Sequence, residues 1–225
     1  MPSFVIHSVV AQKINKFFNL DEELFILGNI MPDCWRNTPA AMEGRNKSHF
    51  QPQGEDSTPE DYEAFYNKYS NHMDNPIYMG YLIHLMTDIY WRKYILPEYI
   101  IKVNDKECLR LRDGNLVMDC NVGRFCDREA RKLTFELLTK NAVFGFPEVT
   151  DVSQIENFEC DIEELDLSGL PNTLRYANKV IDESYPEKSI VFDPNHLEHQ
   201  INQMVIAIYK KVKELQSREL NNRGR

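Results

Sequence analysis

Residues 76–91 read PIYMGYLIHLMTDIYW, and this stretch decides the fold. It is apolar on every side, the pattern of a helix at the centre of a core rather than on its surface. Asn75-Pro76 gives it a start, a capping side chain followed by a proline at the first helical position. Inside it, His84 and Asp88 stand four residues apart, so both side chains leave the helix from one face. Asp88 is the only charged residue between Pro76 and Trp91. A lone carboxylate in an apolar interior is heavily penalised and would sooner be protonated, so something cationic must meet it.

The stretches around this helix also read as helices. Residues 3–18 carry His7, Ala11, Ile14 and Phe18 on one face, with Ser3 as the cap residue. A short helix from Asp21 to about Ile30 stops at Met31-Pro32, because a residue before proline is pushed out of the helical region. Residues 33–57 are rich in Asn, Pro, Gly, Gln and Ser and read as a long loop. Thr58-Pro59-Glu60-Asp61 is a helix start, followed by the stripe Tyr62, Phe65, Tyr66, Tyr69 and Met73. Arg112-Asp113-Gly114-Asn115 reads as the turn of a small hairpin. Residues 120–139 and 171–183 read as helices. Asp193-Pro194 opens a last long helix with Leu197, Ile201, Met204, Ile208 and Leu215 along one side, expected to fray from about residue 217. The expected architecture is all-α, one helical domain over residues 1–225. Its functional cleft would lie between the N-terminal helix, the long loop and the central buried helix.

Composition narrows the function classes. The chain has 225 residues and a formal net charge of −9, a poor match for duplex nucleic acid, which needs a basic footprint. Five cysteines at irregular spacing, with no CxxC, read as free thiols of a reducing compartment. The N-terminal stretch lacks a basic region and a cleavage site, so it does not read as a signal peptide. No apolar run approaches the roughly 18 residues of a membrane span. A cytoplasmic location without stable membrane insertion is the expectation; the oligomeric state is left open.

Three further polar residues stand out. His7 is on the inward face of the first helix. Asp33 closes Gly28-Asn29-Ile30-Met31-Pro32-Asp33. His49 lies in Lys47-Ser48-His49-Phe50. With His84 and Asp88 they supply three imidazoles and two carboxylates, a mixed nitrogen and oxygen set that suits zinc, with manganese or iron as alternatives. Arg45 and Lys47 flank the His49 loop and are weaker candidates for meeting a phosphate.

The order of these residues resembles the zinc-dependent phospholipase C and S1/P1 nuclease superfamily, closest to its small, leaderless bacterial members. The resemblance rests on His7, GNIMPD ending in Asp33, KSHF with His49, and GYLIHLMTDIYW with His84 and Asp88. It covers residues 3 to 95 well and the remainder only as helices. It implies an all-α fold with a metal cluster in a cleft. Asp33, His49, His84 and Asp88 would then bind one zinc ion, with Asp88 bridging to a second held also by His7. Asp33 would be the general base or water-orienting ligand. The implied reaction is hydrolysis of a phosphate ester or phospholipid head group by metal-activated water. The resemblance breaks at a third metal site. Tyr94 stands where secreted members have a histidine, and His196 and His199 are each followed four residues on by Gln. Two ions are therefore expected. The alternatives are a catalytically degenerate metal-binding protein acting as a sensor or scaffold, and a helical domain with a structural His–Asp network.

Overall fold

The structure is a computed structural model and describes residues 2–37, 41–51, 61–118, 122–133, 137, 145–182 and 187–223. Thr58, Pro59 and Glu60 of the expected helix start, Cys120, and part of the expected 120–139 helix lie outside these residues.

The described residues are mostly helical. Helix α1 (Phe4–Phe18) is buried from Val5 to Ala11. Helix α2 (Glu22–Ile30) starts where Asp21 accepts a hydrogen bond from the Leu24 amide at 3.0 Å. Helix α4 (Tyr62–Tyr69) is capped in the same way by Asp61, and its stripe of Phe65, Tyr66 and Tyr69 is buried. Helix α5 (Pro76–Tyr90) begins at the Asn75 cap and is buried without a break from Ile77 to Asp88. It is the central helix that its composition requires. It runs on through a π-helical turn (Trp91–Ile95) into the short α6 (Leu96–Tyr99).

A small antiparallel sheet follows, which an all-α reading omits. Strands β1 (Ile100–Val103) and β2 (Lys106–Arg110) pair in the register Ile100↔Leu109 to Val103↔Lys106. Asn104 and Asp105, both at positive φ, form the two-residue turn between them, a backbone shape that Asn and Asp tolerate. Strand β3 (Leu116–Val117) pairs with β2 across the expected turn at residues 112–115, where Gly114 has φ +86°. Helix α7 (Val122–Lys132) comes next, then α8 (Leu170–Asp182). Helix α9 (Pro194–Arg223) starts at Asp193, which accepts hydrogen bonds from the Asn195 and His196 amides. It buries Leu197, Ile201, Met204, Ile208 and Leu215, and stays helical to Arg223 instead of fraying from 217.

Residues 38–40 and 52–57 of the expected long loop lie outside the described residues, and the rest of it is largely helical. A 3-10 segment spans Met31–Asn37 and helix α3 spans Ala41–Ser48. Local propensity there is weak, and tertiary hydrogen bonds supply what composition lacks. The Ser48 hydroxyl donates to the Pro32 carbonyl at 2.8 Å, and the Tyr81 hydroxyl of α5 donates to the Ser48 carbonyl. Phe50 then leaves α3 at φ 53°, the left-handed conformation, with the Gln51 amide bonded back to the Asn46 carbonyl at 2.9 Å. A phenylalanine held there costs on the order of 1 kcal/mol.

The key packing event is the crossing of α2 and α5. A Cβ on Gly28 would overlap the Ile77 backbone, and one on Gly80 would overlap the Phe25 carbonyl. The two helices therefore meet backbone to backbone, and Asn29 seals the crossing by donating to the Gly80 carbonyl at 3.1 Å.

Candidate metal centre

All five residues singled out in the sequence meet in one place. His7 comes from α1, Asp33 from the 3-10 segment, His49 from the turn after α3, and His84 and Asp88 from α5. His7, His49, His84 and Asp88 are each at most 1% exposed, while the Asp33 side chain keeps 14%. They form two overlapping groups, His7–His84–Asp88 and Asp33–His49–His84, whose ligand atoms lie within 4.8 Å of one another.

The backbone decides what the imidazoles present. His84 Nδ1 lies 2.6 Å from the Asn29 carbonyl and donates to it, since a carbonyl can only accept. His49 Nδ1 faces the Arg45 carbonyl at 3.1 Å in the same manner. In their neutral forms both rings then carry the proton on Nδ1 and a lone pair on Nε2. Those two Nε2 atoms are 3.3 Å apart, a spacing at which two lone pairs repel. His84 Nε2 and His49 Nε2 lie 3.8 Å and 3.7 Å from Asp88 Oδ2, and His49 Nε2 lies 3.8 Å from Asp33 Oδ1. The other Asp88 oxygen, Oδ1, lies 3.3 Å from His7 Nε2. The His7 ring stacks on His84 with centroids 4.0 Å apart and planes 7° from parallel.

These groups are not satisfied by one another. Both Asp88 oxygens and both His7 nitrogens are buried and have no hydrogen-bond partner among the described residues. Four such atoms side by side are an exception to the near-universal pairing of buried polar groups. Four ligands about 2.0–2.1 Å from a tetrahedral zinc ion lie ~3.3 Å from one another. The facing atoms of His49, His84 and Asp88 lie 3.3, 3.7 and 3.8 Å apart, and Asp33 Oδ1 lies 3.8 Å from His49 Nε2, at that edge or somewhat beyond it. Carbonyl oxygens behind His49 and His84 fix the two rings, as acceptors behind metal-binding histidines do. The residues present fit a bound divalent cation.

Charge follows the same geometry. Burial, with the nearby His7 adding to it, pulls the His84 imidazole down to about 3, although Asp88 opposes this. His84 is therefore neutral at physiological pH, the form a metal ligand needs. Burial pushes the Asp88 carboxyl up, but His7, His84 and His49 around it win and hold it below the usual carboxylate range. Burial also keeps the Cys34 thiol far above its ordinary value, so this neighbour of Asp33 offers no thiolate. Among the described residues, Cys34, Cys108, Cys126 and Cys160 form no disulfide.

The centre opens on one side into a cavity of about 60 Å³. Ser3, Phe4 and His7 of the N-terminal segment line it together with Ile30, Asp33, His84, Arg131, Thr173, Tyr176 and Val180. The indole of Trp35 donates to Asp33 Oδ1 at 3.2 Å and orients that carboxylate. Arg45 and Lys47 are not among the lining residues. Lys47 pairs with Glu43 at 2.8 Å, and Arg45 donates to Gln51 at 2.6 Å. The basic residue in the wall is Arg131, which sequence reasoning passed over because nothing in the order of residues ties α7 to this cavity. Tyr94, His196 and His199 line a separate groove beside Glu98, where His196 pairs with Glu98 at 2.9 Å. No family model, curated protein or solved structure matches the chain. No described helix is long and apolar enough to cross a membrane.

Proposed function

We propose that the protein is a metal-dependent phosphoesterase of the phospholipase C and S1/P1 nuclease type, working in the cytoplasm on a phosphomonoester or phosphodiester. The observation that carries this is the division of Asp88, one carboxylate oxygen turned to His49 and His84 and the other to His7. A carboxylate so placed suits a bridge between two ions, and zinc is the cation best matched to three imidazoles and two carboxylates. Ions held there supply Lewis acidity, which acidifies water and offsets charge on phosphoryl oxygens.

The chain's own residues then have separate tasks. His7, His49, His84 and Asp88 are sealed from solvent and hold position. Asp33 is the ligand candidate that reaches the cavity with some exposure, and the Trp35 indole fixes one of its oxygens. That leaves Asp33 to take up the proton of an attacking water as general base. The apolar wall of Phe4, Ile30 and Val180 limits competing solvent.

Elemental analysis of the purified chain and of Asp88→Ala tests this, with aryl phosphate mono- and diester assays on both. We expect about two transition ions per wild-type chain and hydrolysis of at least one ester. Asp88→Ala should lose most metal and all turnover. Full metal retention in that variant would refute the bridging role. Tyr94, where secreted members have a histidine, keeps a second reading open, a metal-binding protein without turnover. Stoichiometric metal with no hydrolysis of either ester class would select it.

A further inference from the structure

Arg131 stands near the C-terminal end of α7, and its guanidinium carbon lies 5.8 Å from the centre of the Tyr176 ring on α8. That is the geometry of an arginine held over an aromatic face. Both residues line the cavity that His7, His84 and Asp33 share. Among the described lining residues, Arg131 carries the one permanent positive charge. A second observation comes from Ser3, which lines the same cavity. Ser3 is 5% exposed, and its hydroxyl oxygen is buried with no hydrogen-bond partner among the described residues. Ser3 is the N-cap residue of α1, as expected, but its side chain makes no capping hydrogen bond. A guanidinium and a hydroxyl with no hydrogen-bond partner among the described residues, both on residues that line one cavity beside the candidate metal centre, suit an oxyanion.

The number of oxygens decides which oxyanion. A phosphodiester has two non-ester oxygens, and a phosphomonoester has three. A guanidinium fork binds two oxygens at once when geometry allows. The centre of His7, Asp33 and His84 requires at least one more oxygen on its own side. Only a terminal phosphoryl group meets both demands. We propose that Arg131, backed by Tyr176 and aided by Ser3, binds the phosphoryl group and selects phosphomonoesters over phosphodiesters. This deepens the phosphoesterase reading above and rests on it.

The test is binding, not turnover. Inorganic phosphate and dimethyl phosphate are titrated calorimetrically into the full zinc-loaded chain, and the metal content of every sample is measured. Wild type should prefer inorganic phosphate by about tenfold or more, the factor one charge-assisted hydrogen bond is worth. Arg131→Gln should keep its metal, bind inorganic phosphate about tenfold more weakly and lose most of that preference. Arg131→Lys should recover part of the affinity, since it restores charge without the fork. Ser3→Ala, a change that leaves α7 untouched, should weaken phosphate binding a few-fold and covers the case in which Arg131→Gln does not fold. An unchanged preference in metal-replete Arg131→Gln would overturn the proposal, and so would equal wild-type affinity for both probes or no phosphate binding. Loss of metal in Arg131→Gln would also overturn it, since the residue would then act on the centre rather than on the anion. A wild-type chain that holds no metal would instead sink the phosphoesterase reading, a separate result visible in the elemental analysis.

Discussion

At His84 one backbone carbonyl sets the chemistry of the ring. The Asn29 carbonyl accepts the Nδ1 hydrogen bond and leaves Nε2 facing His49 and Asp88, so the tautomer of the ring is set by the backbone. The same burial makes the metal-free fold sensitive to acid. His84 is surrounded by His7 from α1, His49 after α3, Asp33 from the 3-10 segment and its own helix neighbour Asp88. Its imidazole is held at about 3, below the ordinary 6.5. Between those values the unfolded chain binds a proton that the folded chain refuses. The stabilising contribution is therefore complete above about 6.5 and is lost progressively as the pH falls toward 3. The depressed Asp88 carboxyl acts in the same direction at the bottom of that range. In chelator, the urea midpoint of the wild type should fall between about pH 7 and about pH 5. His84→Gln should lose part of that slope even if it is less stable at both pH values. An identical slope in the variant would remove His84 as its source.

The α2–α5 crossing carries the site at the scale of elements. Asn29 is buried in that crossing, its side chain on the Gly80 carbonyl and its own carbonyl on His84. Moving the helices apart therefore moves the acceptor that orients His84. Gly80→Ala would place a methyl group on the Phe25 backbone, which cannot swing away as a side-chain tip could. We expect it to destabilise the fold by about 1–3 kcal/mol or more, the range of overpacking in a tight core. We also expect it to reduce metal content, although Gly80 touches no ligand. Chemical denaturation and elemental analysis of the variant check both, and wild-type metal content at lowered stability would detach the crossing from the site. This is also where legibility in the sequence ended. Residues 76–91 announced a buried helix and its His84–Asp88 pair, because a single acid inside so apolar a stretch demands a partner. His7, Asp33 and His49 were readable as outliers, and all three arrive at the centre. The helix Ala41–Ser48 was not readable, since its stability lies in bonds to Pro32 and Tyr81 far along the chain. The strand pair around Asn104-Asp105 left a trace, a two-residue turn between alternating residues, that its short length obscured. Arg131, Tyr176 and Ser3 gave no local sign, because only tertiary closure brings α7, α8 and the start of α1 to one cavity.

Across the whole molecule, the centre ties together segments that share little else. Its five side chains come from α1, the 3-10 segment, the turn after α3, and α5. Without a cation, the fold encloses a carboxylate with no hydrogen-bond partner among the described residues and two imidazole lone pairs facing each other at 3.3 Å. Breaking such a set by removing the partner charge is among the costlier single changes a core can suffer. An ion present at about a thousand times its dissociation constant would contribute ~4 kcal/mol to folding. A domain of this size gains about 2–4 °C in melting temperature per kcal/mol. Chelation should therefore lower Tm by about 10 °C. Zinc should restore it. Magnesium should not, since it prefers oxygen ligands and sheds water reluctantly. Asp88→Asn should melt at one temperature with or without chelator, because the amide no longer demands a cation and no longer retains one. The comparison separates a metal that belongs to the fold from a His–Asp network that is merely structural. In the structural case the wild-type melting curve would ignore the chelator as well, and the five side chains would have to satisfy one another by some rearrangement that their spacing here does not provide.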